Sequence, residues 1–241
     1  MTKHVLFLFL SILTLSCFAQ STEFSSRLNS GFFYYAGKSA ESTEQINYNL
    51  TTEKGYTNNP YGNQPVLSAG VSANISRITK TNVKFGLDLG YEVLRSKIDI
   101  IQVWQFNDII NESVEADGAT YLNNSFINIF PSVGFRKSIK SIKSIKSINV
   151  DLDLGMDIAN CLTSTEKGEA TSSTRTYTTD VDRKKIETDI RGRVQLTVTK
   201  NKMGGYCGFS NGIKNYKEGS VGGTNEAFSR MMRFGLIYKI N

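Results

Sequence analysis

The sequence predicts an all-β chain of about eight antiparallel strands, up and down, closed into a barrel. Three observations carry that. In Val150–Ile158, the apolar Val150, Leu152, Leu154, Met156 and Ile158 alternate with Asp151, Asp153, Gly155 and Asp157. At about 100° per residue those apolar side chains scatter round a helix, whereas at 180° they make one face of a strand and leave three carboxylates on the other. Alternation of this kind recurs along most of the chain. Short and long connections also take turns between the strands, short near 79–81, 138–147 and 201–205, long near 38–63, 107–118, 162–182 and 217–226.

The chain has 241 residues, enough for one large β domain with its own core. Residues 1–19 read as a signal peptide: Lys3, an apolar run from Val5 to Leu15, and a cleavage point after Ala19. That run is too short to cross a bilayer as a helix. Thr14-Leu15-Ser16-Cys17 faintly resembles a lipoprotein processing site, but Thr14 stands where an aliphatic residue belongs, so simple cleavage is the preferred reading. The remaining domain, 20–241, keeps 27 of the 28 Lys and Arg against 22 acids, a net +5. It loses the one histidine, His4, and with it the commonest base and transition-metal ligand. Its two cysteines, Cys161 and Cys207, are too few for a disulfide framework. No later run is long and apolar enough for a membrane helix, so any span is made of strands.

Taken in order, Arg27–Ala36 is an aromatic-rich first strand, and 38–63 is a polar loop with an Asn59-Pro60 turn. Leu67, Ala69, Val71, Ala73 and Ile75 then share one face. Val83, Phe85, Leu87, Leu89, Tyr91 and Val93 interleave with Lys84, Asp88 and Glu92, and the strand continues less regularly to Trp104 and Phe106. Tyr121–Phe135 follows, with Pro131 inside it, which argues for an edge or a bulge. Three Ser-Ile-Lys units from Ser138 to Lys146 have a period that fits neither strand nor helix and read as a low-complexity turn. The strand at 148–161 gives way to a loop at 162–182 rich in Thr, Ser and Glu. Ile190, Val194, Leu196 and Val198 then alternate with Arg191, Arg193, Gln195 and Thr197. Tyr206–Tyr216 and a terminal strand with Phe234, Leu236, Tyr238 and Ile240 in phase complete the set.

The division of faces assigns the residues. Leu87, Leu89, Leu152, Leu154, Met156 and Leu196 belong to an outer, lipid-facing surface. Lys84, Asp88, Glu92, Asp151, Asp153, Asp157, Arg191 and Arg193 belong to a polar lumen. An eight-stranded barrel is just wide enough for its own side chains, so these charges are expected to pair and fill it. Antiparallel pairing about residue 173 brings Asp153 near Arg193. Phe32–Tyr35, Tyr91, Trp104, Tyr121 and Tyr238 are candidates for interfacial girdles. A soluble lipocalin-type barrel shares every alternation, and the loop asymmetry argues against it.

This pattern resembles the small outer-membrane β-barrel proteins of Gram-negative bacteria, of the OmpA-like or PorT-like type. The resemblance covers 20–241. Its most specific part is Phe234-x-Leu236-x-Tyr238-x-Ile240, similar to the C-terminal signal read by the barrel-assembly machinery, although this chain ends in Asn241 rather than an aromatic residue. The resemblance implies a closed transmembrane barrel in the outer membrane, in contact with outer-membrane lipid, and no single activity. A structural, adhesive or ligand-binding role through the external loops is the first expectation. A narrow, porin-like channel is the alternative, with a soluble secreted barrel or an outer-membrane enzyme behind it. No cofactor, metal or nucleic-acid partner is expected. Gly208-Phe209-Ser210-Asn211-Gly212 matches the serine-hydrolase elbow, but that chemistry needs a helix after the turn and a histidine beside the serine.

Overall fold

The computed structural model describes residues 19–140, 147–219 and 225–240. The signal-peptide and Cys17 readings fall on residues outside these, as do Lys143 and Lys146 of the tripeptide repeat. Among the described residues there are eleven strands: β1 (Ala19–Ala36), β2 (Thr43–Asn49), β3 (Lys54–Thr57), β4 (Gln64–Thr79), β5 (Val83–Phe106), β6 (Asn111–Lys140), β7 (Ser147–Thr171), β8 (Thr176–Asp182), β9 (Thr188–Lys200), β10 (Met203–Gly212) and β11 (Phe228–Lys239).

Antiparallel ladders run from β1 to β4, β5, β6, β7, β9, β10 and β11, and β11 pairs back onto β1 from Ser25↔Lys239 to Ala36↔Phe228. That circuit has no free edge, so the backbone of each strand is paired on both sides along the ring. At one end lie the turn between β4 and β5, the turn between β9 and β10, and both ends of the described chain. Asn82 and Asn201 take left-handed φ values of 65° and 56° in those two turns, a conformation asparagine tolerates.

Of the segments expected to be loops, 162–182 is largely strand and 38–63 holds two short strands. β7 runs on to Thr171 and β8 follows it. β2 lies parallel to β5, β3 turns back along β2, and β3 meets β8 through the single bridge Gly55↔Thr179. With the far ends of β5, β6 and β7 these strands close a second, smaller ring beyond the first. The expected loop at 107–118 shrinks to four residues, because β6 begins at Asn111. Pro131 lies on no edge, since β6 is paired on both sides. Its missing N–H instead interrupts the ladder to β7, which passes from Ile129↔Ile158 to Ser132↔Gly155. The first Ser-Ile-Lys unit is the end of β6, with Ile139 opposite Ile148, rather than a turn.

The two rings are inside out with respect to one another, and β5 shows it within one strand. Its inward residues are Lys84, Asp88 and Glu92 in the first ring and then Leu94, Ile98 and Ile100 toward the second. Its outward residues change the other way, from Phe85, Leu87, Leu89, Tyr91 and Val93 to Arg95, Lys97 and Asp99. The second ring therefore has an ordinary apolar core of Ile46, Tyr48, Ile98, Ile100, Val103 and Tyr177. The first has an apolar exterior around a charged interior. Leu154 is 54% exposed there and its neighbour Asp153 only 2%. Leu87, Leu89, Leu152, Met156 and Leu196 are outward with Leu154, as are Phe234, Leu236, Tyr238 and Ile240.

Candidate functional site

Seven carboxylates and seven cations line the interior of the first ring: Glu23, Asp88, Glu92, Asp151, Asp153, Asp157 and Asp189 with Arg27, Lys84, Arg136, Arg191, Arg193, Arg233 and Lys239. All are buried except Glu23, which is half-buried. Nearest the short turns, Arg136 bridges Glu23 at 2.6 Å and Asp151 at 2.7 Å, and Lys239 reaches Glu23 at 3.0 Å. Lys84 joins Asp151 at 2.9 Å and Asp153 at 2.8 Å. Arg27 then holds Asp88, which also accepts from Asn74. Deeper still, Arg233 donates to Glu92 at 2.7 Å and to Asp157 at 2.9 Å. Arg191, completely buried, lies 2.7 Å from Glu92, 3.6 Å from Asp157 and 3.3 Å from Asp189, while Phe126 is 5.4 Å from its guanidinium.

All eight charges assigned to the lumen from sequence point inward. The pairing of Asp153 with Arg193 does not form. The β7–β9 register sets Asp157 opposite Arg191, Gly155 opposite Arg193 and Asp153 opposite Gln195, two residues from the expected alignment. Arg193 instead stacks over Phe130, 4.2 Å from the ring centre, and donates to Gln195. Arg27, Arg136, Arg233, Glu23, Asp189 and Lys239 belong to the same network and were not singled out from sequence. Each stands in phase with the inward set of its strand, and that phase was the available signal.

Above the charges comes an apolar layer, Phe33, Tyr35, Leu94, Leu122, Phe126 and Met231. Phe33 and Tyr35 are therefore interior residues and not girdle residues, and only Phe32 of that group is strongly outward. Trp104 is not at the edge of the apolar belt either. It lies on the part of β5 that pairs with β2, opposite Asn47.

At the mouth, Tyr61 and Tyr216 pack edge-on to Tyr35, with ring centres 5.0 and 4.9 Å away. Tyr216 donates its hydroxyl to Asp189 at 2.8 Å, which ties the mouth to the interior network. Burial pushes the Tyr61 and Tyr216 hydroxyls above their ordinary range, and for Tyr216 the adjacent Asp189 adds to it, so both are neutral. These two rings line a cleft of about 470 Å³ with Arg183, Lys184, Lys185, Lys214 and Lys217, against only Glu187 and Glu218. Arg183 is committed to Glu166 and to the carbonyl of Thr57. The other four cations have no acid within ion-pair distance among the described residues. Ser210, the serine of the Gly-x-Ser-x-Gly match, is buried in strand β10 and accepts from Arg233 at 2.8 Å.

No family model matches the chain, and no curated protein does. Among the solved structures similar to it are two outer-surface proteins of bacteria. One is Neisserial surface protein A, 11% identical, with 92% of this chain and 100% of that one covered at a TM-score of 0.37. The other is Ail, the attachment invasion locus protein of Yersinia pestis, solved with the heparin analogue sucrose octasulfate. It is 8% identical, with 91% and 97% covered at a TM-score of 0.31. Likenesses as loose as these do not bear on function.

Proposed function

We propose that the first ring is an eight-stranded transmembrane barrel of the outer membrane, packed shut along its axis, and that the protein works as a ligand-binding or adhesive surface protein through its mouth. The observation that carries the membrane half is the inversion of the two faces along β5. Outward apolar residues run from Phe85 to Val93 on β5 and from Ile190 to Val198 on β9, eight residues of rise in each case. At about 3.3 Å per residue and a tilt of about 40°, that is a belt about 20 Å tall, close to the apolar band of outer-membrane barrels. A soluble barrel has no use for such a belt, and the same strand turns its apolar side inward as soon as the belt ends. The outward Phe234, Leu236, Tyr238 and Ile240 on the closing strand suit recognition by the barrel-assembly machinery.

The cleft carries the functional half. Four cations without acid partners around two neutral tyrosines suit an anionic, hydroxyl-rich ligand, a sulfated or phosphorylated oligosaccharide in chemical class. The cations supply charge, and the rings supply a flat apolar wall, their own hydroxyls being turned to Asp189 and to the Tyr216 carbonyl. Retention of the folded protein on immobilised sulfated oligosaccharide tests this. Lys184→Glu with Lys214→Glu should abolish retention at physiological salt, while Lys80→Glu with Lys202→Glu, at the other end of the barrel, should leave it unchanged. Equal retention of both variants would defeat the assignment. No catalytic role is proposed.

A further inference from the structure

The interior of the first ring is neutral, with seven charges of each sign, yet the chain as a whole carries +6. Much of that excess sits outside the barrel, at the end with the short turns. On three strands a cation takes an outward place at the margin of the apolar belt. Arg77 follows Ile75, Lys137 follows Phe135, and Lys200 follows Val198. Lys80 and Lys202 stand exposed in the two turns between them. None of these five has an ion-pair partner among the described residues. Among the described residues the carboxylates nearest that end, Glu23 and Asp151, are taken by Arg136, Lys84 and Lys239. The opposite margin of the belt is different. There Lys97 is paired with Asp99 at 2.7 Å, and Arg95 stacks over Tyr121.

We infer that this rim is a binding surface for anionic phospholipid headgroups in the leaflet at the short-turn end. The inference rests on the transmembrane reading above. Placement favours lipid over a polymer lying beyond the membrane: Arg77 and Lys200 share a face with the belt, one outward step past its last apolar residue on their strands, and Lys137 shares that face between Phe135 and the exposed Ile139. Their stems lie along acyl chains while their heads reach the depth of headgroup phosphates. Cations at that depth are attracted to anionic lipid, and the attraction falls off within a Debye length. The first turn of the rim is also well set. Thr79 Oγ1 accepts the Val83 N–H at 3.0 Å, so Lys80 is presented by a defined turn.

Native mass spectrometry of the folded protein in detergent, with equal amounts of phosphatidylglycerol and phosphatidylethanolamine of matched acyl chains, tests it. The wild-type protein should carry several-fold more phosphatidylglycerol. Arg77→Gln, Lys137→Gln and Lys200→Gln together should bring the ratio to about one, whereas Lys184→Gln, Lys214→Gln and Lys217→Gln at the mouth should leave it unchanged. Should the rim triple fail to fold, Lys80→Gln with Lys202→Gln in the turns should still lower the ratio measurably. Equal adducts on the wild-type protein, or a preference lost with the mouth triple and kept in the rim variants, would overturn the inference. Mobility of unboiled against boiled samples separates the two readings. A wild-type protein with no heat-dependent shift would overturn the barrel itself. A shifted, folded protein without lipid preference would overturn only the rim.

Discussion

Arg233 and Arg191 share Glu92 and Asp157, and this shared pairing decides what each buried charge is worth. Removing one member of a buried pair strands the other, a loss of about 3–5 kcal/mol. Arg233→Ala leaves Asp157 with a single distant cation and Glu92 with one in place of two, so it belongs in that range. Arg193→Ala is different, because Arg193 has no carboxylate partner to strand. It loses a stack on Phe130 and a hydrogen bond to Gln195, and about 2 kcal/mol is expected. Urea unfolding in detergent or lipid should rank the two in that order. The sequence shows that charges face inward, since alternation is a one-residue property. It does not show which charge meets which, because a two-residue change of register keeps every face and changes every partner. Hence Asp153 meets Lys84, two strands away on β5, instead of Arg193.

Strands of the first ring were legible for the same reason that β2, β3 and β8 were not. In the belt, one face of each strand is uniformly apolar. In β8, Thr-Tyr-Thr-Thr-Asp-Val-Asp buries Tyr177 and Thr179 and offers the rest to water, so its composition is that of a loop. Burial is supplied by a ring that no single strand announces. Two tests belong to this scale. Leu154→Arg puts a charge in the belt and should cost about 2–4 kcal/mol, while Asp153→Asn should cost about 1 kcal/mol, because Lys84 keeps Asp151. The reverse ranking would turn the barrel inside out. The second concerns Glu166, which is buried among the residues expected to form a polar loop. It accepts the Thr57 N–H at 3.2 Å and holds Arg183, so it fastens β3 to β7. Burial pushes its carboxyl above the ordinary value, against the opposing pull of Arg183 and Thr57. A raised folded-state pKa contributes stability below the unfolded value and loses it as pH rises through the folded one. Amides of β3 and β8 should therefore exchange more slowly near pH 4–5 than at pH 7, after correction for intrinsic rates. Glu166→Gln should flatten the difference.

At the scale of the whole molecule, the question is whether anything passes along the axis. Three successive obstructions lie there. The charged interior is neutral in sum and cross-linked by short ion pairs. Above it Phe33, Leu94, Leu122, Phe126 and Met231 form an apolar layer, and Tyr35, Tyr61 and Tyr216 cap that layer. An ion entering from the short-turn end would have to break the Arg136 bridges to Glu23 and Asp151 and then cross an apolar layer without water to hydrate it. Removing one obstruction should not suffice. Purified wild-type protein in a planar bilayer should show no steady conductance, and neither should Phe33→Ala with Phe126→Ala, because the ion pairs beneath the layer remain. Neutralising the entry as well, with Arg136→Ala and Asp151→Ala added, should give brief, irregular openings in place of a stable channel, since Lys84, Asp153 and Arg27 still cross the interior. A large and stable conductance from the wild-type protein would contradict the packed interior and make a channel the better reading of the barrel.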